Sequence, residues 1–315
     1  MVFTSTQSLK KVIQNFSING TLLGAERLEG GVSADASLLR VQETDGDIQK
    51  YVLRAHSANN RSRNPIIAIH EFNLLKILHE GGLPVAQPRY LDASGEIFPT
   101  PYIVLDYIEG ATDFSPSDIQ DYIQQSAELL AKIHQFSCES PGLDFLSRRN
   151  EHVIWWINYQ PEQFDHELGE KQLRDTLKTL FPLQEVNHQT LLHGDFWAGN
   201  LIWEDGKLCA VIDWEDAEIG DPLSDLSITR LEMLWAFGKK AMQDFTDTYR
   251  KVMPHLNYVN LPNWDLFSAL RPAGQLEEWA ITWEQCGRLD VNLNTMQQAH
   301  QWFVKQALEK ISKVT

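Results

Sequence analysis

The run His193-Gly194-Asp195-Phe196-Trp197-Ala198-Gly199-Asn200 carries a carboxylate and a carboxamide five residues apart. A second carboxylate, Asp213, follows thirteen residues after Asn200. Between them lie two short apolar runs, Leu201-Ile202-Trp203 and Leu208-Cys209-Ala210-Val211-Ile212, separated by Glu204-Asp205-Gly206-Lys207. Asp-Gly between apolar runs is a strong hairpin signal, and a hairpin returns the chain to where it started. The pattern therefore predicts Asn200 just before one strand and Asp213 just after the other. Hard oxygen donors placed in this way suit Mg²⁺, which takes one or two protein ligands and leaves the rest of its octahedron to water and phosphate. Asp195 is one tight loop upstream, preceded by a glycine that permits an unusual backbone. A carboxylate there is suited to accept a proton from, and to orient, an attacking hydroxyl.

The order Asp195, Asn200, Asp213, with a hairpin between the last two, resembles the catalytic core of the protein-kinase-like fold. His193-Gly194-Asp195 stands in place of His-Arg-Asp, and Ile212-Asp213-Trp214-Glu215 in place of Asp-Phe-Gly. This variant resembles the aminoglycoside phosphotransferase family, which also holds choline, homoserine, macrolide and fructosamine kinases. The resemblance implies Asp195 as catalytic base. It implies Asn200 and Asp213 as ligands of Mg²⁺, with ATP or GTP as phosphoryl donor and a small-molecule hydroxyl as acceptor.

These residues need elements to position them. After a helix or arm over about residues 5–17, Leu22–Leu28 reads as a strand that enters Glu29-Gly30-Gly31-Val32-Ser33-Ala34-Asp35. Ser37–Val41 and Gln49–Ala55 read as further strands, joined at Asp45-Gly46. Gly30 and Gly31 let backbone amides approach a triphosphate, with Ser33 as a further donor. Arg54 in the third strand falls where the kinase-like fold has the lysine that holds the α and β phosphates. Arginine offers a planar fork of five donors instead of a compact ammonium.

Asn64-Pro65 opens a helix with apolar residues at Ile66, Ile69, Phe72, Leu75 and Leu78. Within it, Glu71 resembles the family's partner for the strand cation, which fixes that side chain by a charge-assisted bond. Pro101–Ile108 is a continuous apolar strand. By resemblance its exit is the hinge at which backbone groups of Asp106, Tyr107 and Ile108 bond the nucleobase edge.

Beyond this point helical periodicity dominates. Ser115-Pro116 reads as the cap of a helix running to His134, and further helices are expected over Arg148–Tyr159 and Leu168–Leu180. Trp155 and Trp156 read as core packing. Gly220-Asp221-Pro222 has a helix-start signature, with Asp221 as cap, Pro222 at the first position and Asp225 in the opening turns, read as support for the catalytic loop. In Leu276–Glu284 the apolar positions 276, 279, 280 and 283 make one stripe. Glu277, Glu278 and Glu284 stand off it as acids that the family resemblance connects with substrate amines.

With 315 residues, 43% of them apolar and 10% aromatic, the chain is that of an ordered globular protein. Three widely spaced cysteines, Cys138, Cys209 and Cys286, argue against a disulfide framework and a zinc site, and Cys209 reads as a small buried hydrophobe. A formal net charge of −16 disfavours nucleic acid as a partner. No apolar run is long enough to span a bilayer and the first residues do not form a leader, so a cytoplasmic protein without a membrane partner is expected.

The expected fold is α+β and two-lobed. It has an antiparallel-sheet, nucleotide-binding lobe over 1–108 and a mainly helical catalytic and substrate lobe over 109–315. The expected function is a small-molecule kinase. Two competing readings are a protein-kinase-like regulator, which the absence of an Ala-Pro-Glu segment after Asp213 disfavours, and a nucleotide-binding pseudoenzyme, which intact Asp195, Asn200 and Asp213 disfavour.

Overall fold

Alternating apolar residues in the first third of the chain form a five-stranded antiparallel sheet in the computed structural model, which describes residues 5–28, 34–138 and 142–313. By internal contacts the chain divides into two units. The first comprises Met1–Glu109, Pro141–Phe145 and Ala210–Glu215, and the second Gly110–Ser140, Leu146–Cys209 and Asp216–Thr315.

In the first unit, helix α1 (Thr6–Phe16) starts at Ser5, whose hydroxyl accepts the Ser8 N–H. It buries Leu9, Val12 and Ile13, spaced to lie on one helical face. Strands β1 (Thr21–Leu28), β2 (Ala34–Gln42) and β3 (Ile48–His56) follow. Helices α2 (Ala58–Arg63) and α3 (Ile67–Glu80) precede β4 (Pro88–Asp92) and β5 (Tyr102–Asp106). The sheet order is β1-β2-β3-β5-β4, so β3 is an interior strand and Arg54 lies opposite Ile103 of β5. Tyr102 to Leu105 are all buried, which explains why this strand reads as a continuous apolar run. Leu9, Val12 and Ile13 join Leu39, Val41, Leu53, Tyr102 and Val104 in one core. At about 1.5–3 kcal/mol per buried large side chain, this face is what holds the strands in register. Gly30, Gly31 and Ser33 lie outside the described residues. Helix α2 had no periodic apolar signal, and none of its residues is buried.

The second unit is mainly helical. It contains α4 (Ile119–His134), α5 (Arg149–Asn158) and α6 (Glu170–Leu180), then β6 (Thr190–Leu192), β7 (Leu201–Glu204), β8 (Lys207–Val211) and β9 (Glu218–Gly220). The last two residues of β8 are counted with the first unit. Helices α7 (Pro222–Val252), α8 (Leu261–Leu270), α9 (Leu276–Gln285) and α10 (Leu293–Ile311) complete it. Helix α4 is capped by Asp118, which accepts the Gln120 and Asp121 N–H groups, and not by Ser115 as the sequence suggested. A carboxylate one residue before the helix satisfies two orphan donors that a hydroxyl three residues earlier cannot reach.

In the β7–β8 hairpin, Asp205 and Gly206 both have positive φ, 50° and 75°, as a two-residue turn of this kind requires. Helix α7 is broken at Gly238 (φ 84°, ψ −178°). Near the break, Arg288 donates to the carbonyls of Ala236 and Phe114. Inside this unit Arg230 pairs with Asp265 through two nitrogens at 2.9 and 3.0 Å, both residues fully buried. No helix of the described residues is long and apolar enough to cross a membrane.

Two sequence readings are corrected here. Trp155 is 58% exposed and makes tilted ring contacts with Trp156 and Tyr159 along the outside of α5, because the buried face of that helix is Arg149, Val153 and Ile157. Cys209 is only half-buried, since it stands on a two-stranded ribbon that has one open side. All three cysteines are free thiols.

Candidate active site

In the second unit, β6 and β9 pair antiparallel, Thr190 opposite Gly220 and Leu192 opposite Glu218, and β6 delivers the chain into His193-Gly194-Asp195. Gly194 has φ +86°, and a Cβ there would lie 2.1 Å from the carbonyl oxygen of Asp216. The position therefore accepts only glycine, for both reasons. The next residues are held from α7. Asp225, fully buried, accepts the His193 N–H at 2.6 Å through Oδ2 and the Gly194 N–H at 3.1 Å through Oδ1. His134 Nε2 lies 3.3 Å from the same carboxylate, and its Nδ1 lies 2.6 Å from the Tyr249 hydroxyl. With its proton on Nε2 the ring serves both partners, donating to Asp225 and accepting from Tyr249. Burial would push the Asp225 carboxyl up, but the bond from His134 and the neighbouring cations hold it below its usual value. Asp221 caps α7 by accepting the Leu223 N–H at 3.0 Å, as the Gly-Asp-Pro run predicted. The structural role read for this segment is the one observed.

The loop ends with Asp195 engaged on both oxygens. Arg271 Nη2 is 2.9 Å from Oδ1, and Asn200 Nδ2 donates to Oδ2 at 3.1 Å and to the Asp195 carbonyl at 2.9 Å. The Asp195 N–H donates to His193 Nδ1 at 3.2 Å. The carboxylate keeps 30% of its side-chain surface exposed, so it is oriented without being sealed. Burial opposes the Arg271 charge, but Asp195 and Glu232 raise the guanidinium above its usual value. Glu232 on α7 is pushed up to about 8 by burial, with Arg271 opposing and Asp195 adding to the shift. Because the Asn200 nitrogen is turned toward Asp195, its Oδ1 is the atom left for a hard cation.

In the first unit, Arg54 of β3 is the centre of a second cluster. Its Nη2 lies 2.6 Å from Asp213 Oδ1 and 3.3 Å from Glu215 Oε2, and its Nε lies 3.4 Å from Glu71 Oε1. Burial would lower the guanidinium, but Glu71, Asp213 and Glu215 together carry it above its usual value. Asp213 has φ +65°, in the left-handed region that few non-glycine residues enter and that aspartate enters more readily than most. Burial and the Glu215 charge push its carboxyl up against the pull of Arg54.

His56 is two residues along β3 and so on the same side as Arg54. Its Nε2 is 2.7 Å from Glu71 Oε2 and its Nδ1 is 3.4 Å from Glu215 Oε2, which also accepts from Asn60 Nδ2 at 3.0 Å. Burial would lower the His56 imidazole, but Glu215 and Glu71 raise it to about 9. Both cations hold the buried Glu71 carboxyl below its usual value against desolvation.

This arrangement predicts a pH-dependent stability. A histidine at about 9 in the folded chain and 6.5 unfolded binds its proton more tightly when folded. The stabilisation is complete below pH 6.5 and is lost as pH rises through 9, for a total of about 3 kcal/mol. Urea denaturation at pH 6.5, 8 and 10 should show the decline, and H56Q should flatten it. A parent profile that is flat over this range would refute the assignment.

At the end of β5, the Asp106 N–H donates to the Gln87 carbonyl and the Tyr107 N–H to the Lys50 carbonyl, at 2.9 and 3.0 Å. Asp106 also pairs with Arg89 through both oxygens, at 2.6 and 2.7 Å. Glu277, Glu278 and Glu284 all lie on the exposed side of α9. Sequence reasoning missed Arg271, Glu232 and His56. Only His56 had a usable signal, its two-residue spacing from Arg54 on an alternating strand. Among the described residues no group of three or more His, Cys, Asp or Glu is arranged to hold a metal, an arrangement that Mg²⁺ does not need.

Residues 25–256 match the family model described as the phosphotransferase enzyme family. The rat (Rattus norvegicus) acyl-CoA dehydrogenase family member 11 is 27% identical over 254 residues, which is 70% of this chain and 32% of the relative. The chain thus spans about a third of the length of the relatives it matches in this way. Among solved structures, a Ralstonia eutropha protein assigned as an aminoglycoside phosphotransferase has the same fold. It superposes with a TM-score of 0.68 at 17% identity over 96% of this chain and 98% of that one. Aminoglycoside phosphotransferase APH(4)-Ia, solved as a D198A variant with ADP and hygromycin B, superposes at 0.63 and 16% identity over 96% and 98% of the two chains.

Proposed function

The chain belongs to the phosphotransferase enzyme family, and from that premise we propose that it is a phosphotransferase acting on a hydroxyl, moving the γ-phosphoryl group of ATP or GTP to a small molecule. The observation that carries this reading is the state of Asp195, a half-open carboxylate fixed on one oxygen by Arg271 and on the other by Asn200. A base held in this way accepts the acceptor's proton in one orientation, without first paying for its own ordering. Asn200 Oδ1 and Asp213 are the hard oxygens proposed for Mg²⁺, and the left-handed backbone of Asp213, a conformation concentrated at functional sites, supports that role. Mg²⁺ bound there would offset the charge that develops on the phosphates.

Arg54, oriented by Glu71, together with Gly30, Gly31 and Ser33, is proposed to bind the triphosphate. The Asp106 and Tyr107 N–H groups are already bonded within the sheet, so the base-edge donor proposed from this segment is the Ile108 N–H, beside carbonyls of the three residues. The acceptor pocket is proposed in the helical part of the chain, with the chain working in the cytoplasm. The dehydrogenase in the relatives' name describes proteins of which this chain matches about a third.

The test is consumption of ATP and GTP with Mg²⁺ across aminoglycosides, macrolides, choline, homoserine, sugars and fructosamines. One acceptor that drives turnover supports the reading and identifies its class. Nucleotide binding with no turnover on any acceptor would favour a nucleotide-binding pseudoenzyme.

A further inference from the structure

Three carboxylates, Glu71, Asp213 and Glu215, surround Arg54 in the first unit, and a kinase-like site needs that arginine for phosphate. The guanidinium reaches all three, at 3.4, 2.6 and 3.3 Å. Turning toward a triphosphate would strand them. Leaving a buried carboxylate unpaired costs several kcal/mol, so the competition is energetically serious. The cluster contains a second cation that the proposed mechanism leaves unused. His56 is fully buried, and its Nε2 meets the Glu71 oxygen that Arg54 does not engage, Oε2, at 2.7 Å. Its Nδ1 faces Glu215 Oε2, where Asn60 from the first turn of α2 adds a 3.0 Å bond.

We propose that His56 is a positioning residue for nucleotide binding: it keeps Glu71 and Glu215 compensated so that Arg54 is released to the triphosphate. The inference rests on the kinase reading above. Its warrant is the geometry, in which two of Arg54's three acidic partners also face His56. The imidazole is raised to about 9, so it carries its charge at neutral pH. The groups that face it are Glu71 from α3, Glu215 from the segment after β8 and Arg54 from its own strand.

The experiment is titration calorimetry of the full chain with Mg²⁺ and non-hydrolysable ATP and GTP analogues, on the parent, H56Q, E215Q and H56Q/E215Q. H56Q should weaken binding by about tenfold. The double variant should recover most of that loss, because one of the competing carboxylates is gone. A residue that only supports the fold gives no rescue, and a double variant as weak as H56Q overturns the proposal. Equal affinity of H56Q and the parent also overturns it. If H56Q does not fold, E215Q carries the test: removing a competitor should tighten binding by about two- to threefold, and weaker binding overturns the proposal. A parent that binds neither analogue brings down the kinase reading itself, a result distinct from the others.

Discussion

Replacing Asp195 by alanine will lower turnover with the best acceptor by about 10²–10⁴-fold while nucleotide binding stays within about threefold of the parent. The asymmetry follows from what Asp195 touches. Its oxygens are held by Arg271 and Asn200, neither of which is among the residues proposed to bind the triphosphate. Folding will change little, because the Arg271–Asp195 pair retains solvent on both partners, 21% and 30% exposed, and such pairs contribute about 1 kcal/mol or less. Asp195→Asn will be equally inactive. An amide is no base, and its NH₂ must face one of two donors, Arg271 Nη2 or Asn200 Nδ2. Steady-state kinetics with calorimetry on the same samples decide the matter, and D195A turnover within threefold of the parent would remove Asp195 from the mechanism.

The second large effect is expected at Asp225, a fully buried residue behind the loop that carries Asp195. Asp225→Asn will destabilise the chain by about 3 kcal/mol and abolish turnover even where the protein remains folded. The carboxylate accepts two backbone N–H bonds, from His193 and Gly194, and faces His134 on the same side. An asparagine supplies one oxygen, so either a buried loop N–H or the imidazole N–H meets an NH₂ group. The loop that presents Asp195 then loses its anchor to α7. Chemical denaturation and kcat measured together test this, and a variant within 1 kcal/mol of the parent with normal turnover would show that the loop is held by other means.

Arg271 was not legible in the sequence because it lies 76 residues from Asp195, at the end of a helix whose periodicity concerns only its own packing. Glu71 was legible because the spacing from strand to helix is local enough to resemble a known pattern. His56 lay between these cases: alternation along β3 places it beside Arg54, but its two acidic partners come from α3 and from the residues after β8.

What the sequence determined by itself was chemistry confined to a few residues. The Asp205-Gly206 turn, the Asp221 cap with Pro222 and the spacing of Asp195 from Asn200 depend on backbone preferences and bonds that close within about five residues. The tertiary structure alone decided which carboxylates share Arg54, which donors orient Asp195, that Asp225 holds the loop, and that Trp155 faces outward while Val153 and Ile157 face in. These outcomes depend on pairs separated by tens to more than a hundred residues, as in the 159 between Arg54 and Asp213. A charge's partner over that separation is set by where the core puts its backbone, and local residue preference carries no information about that.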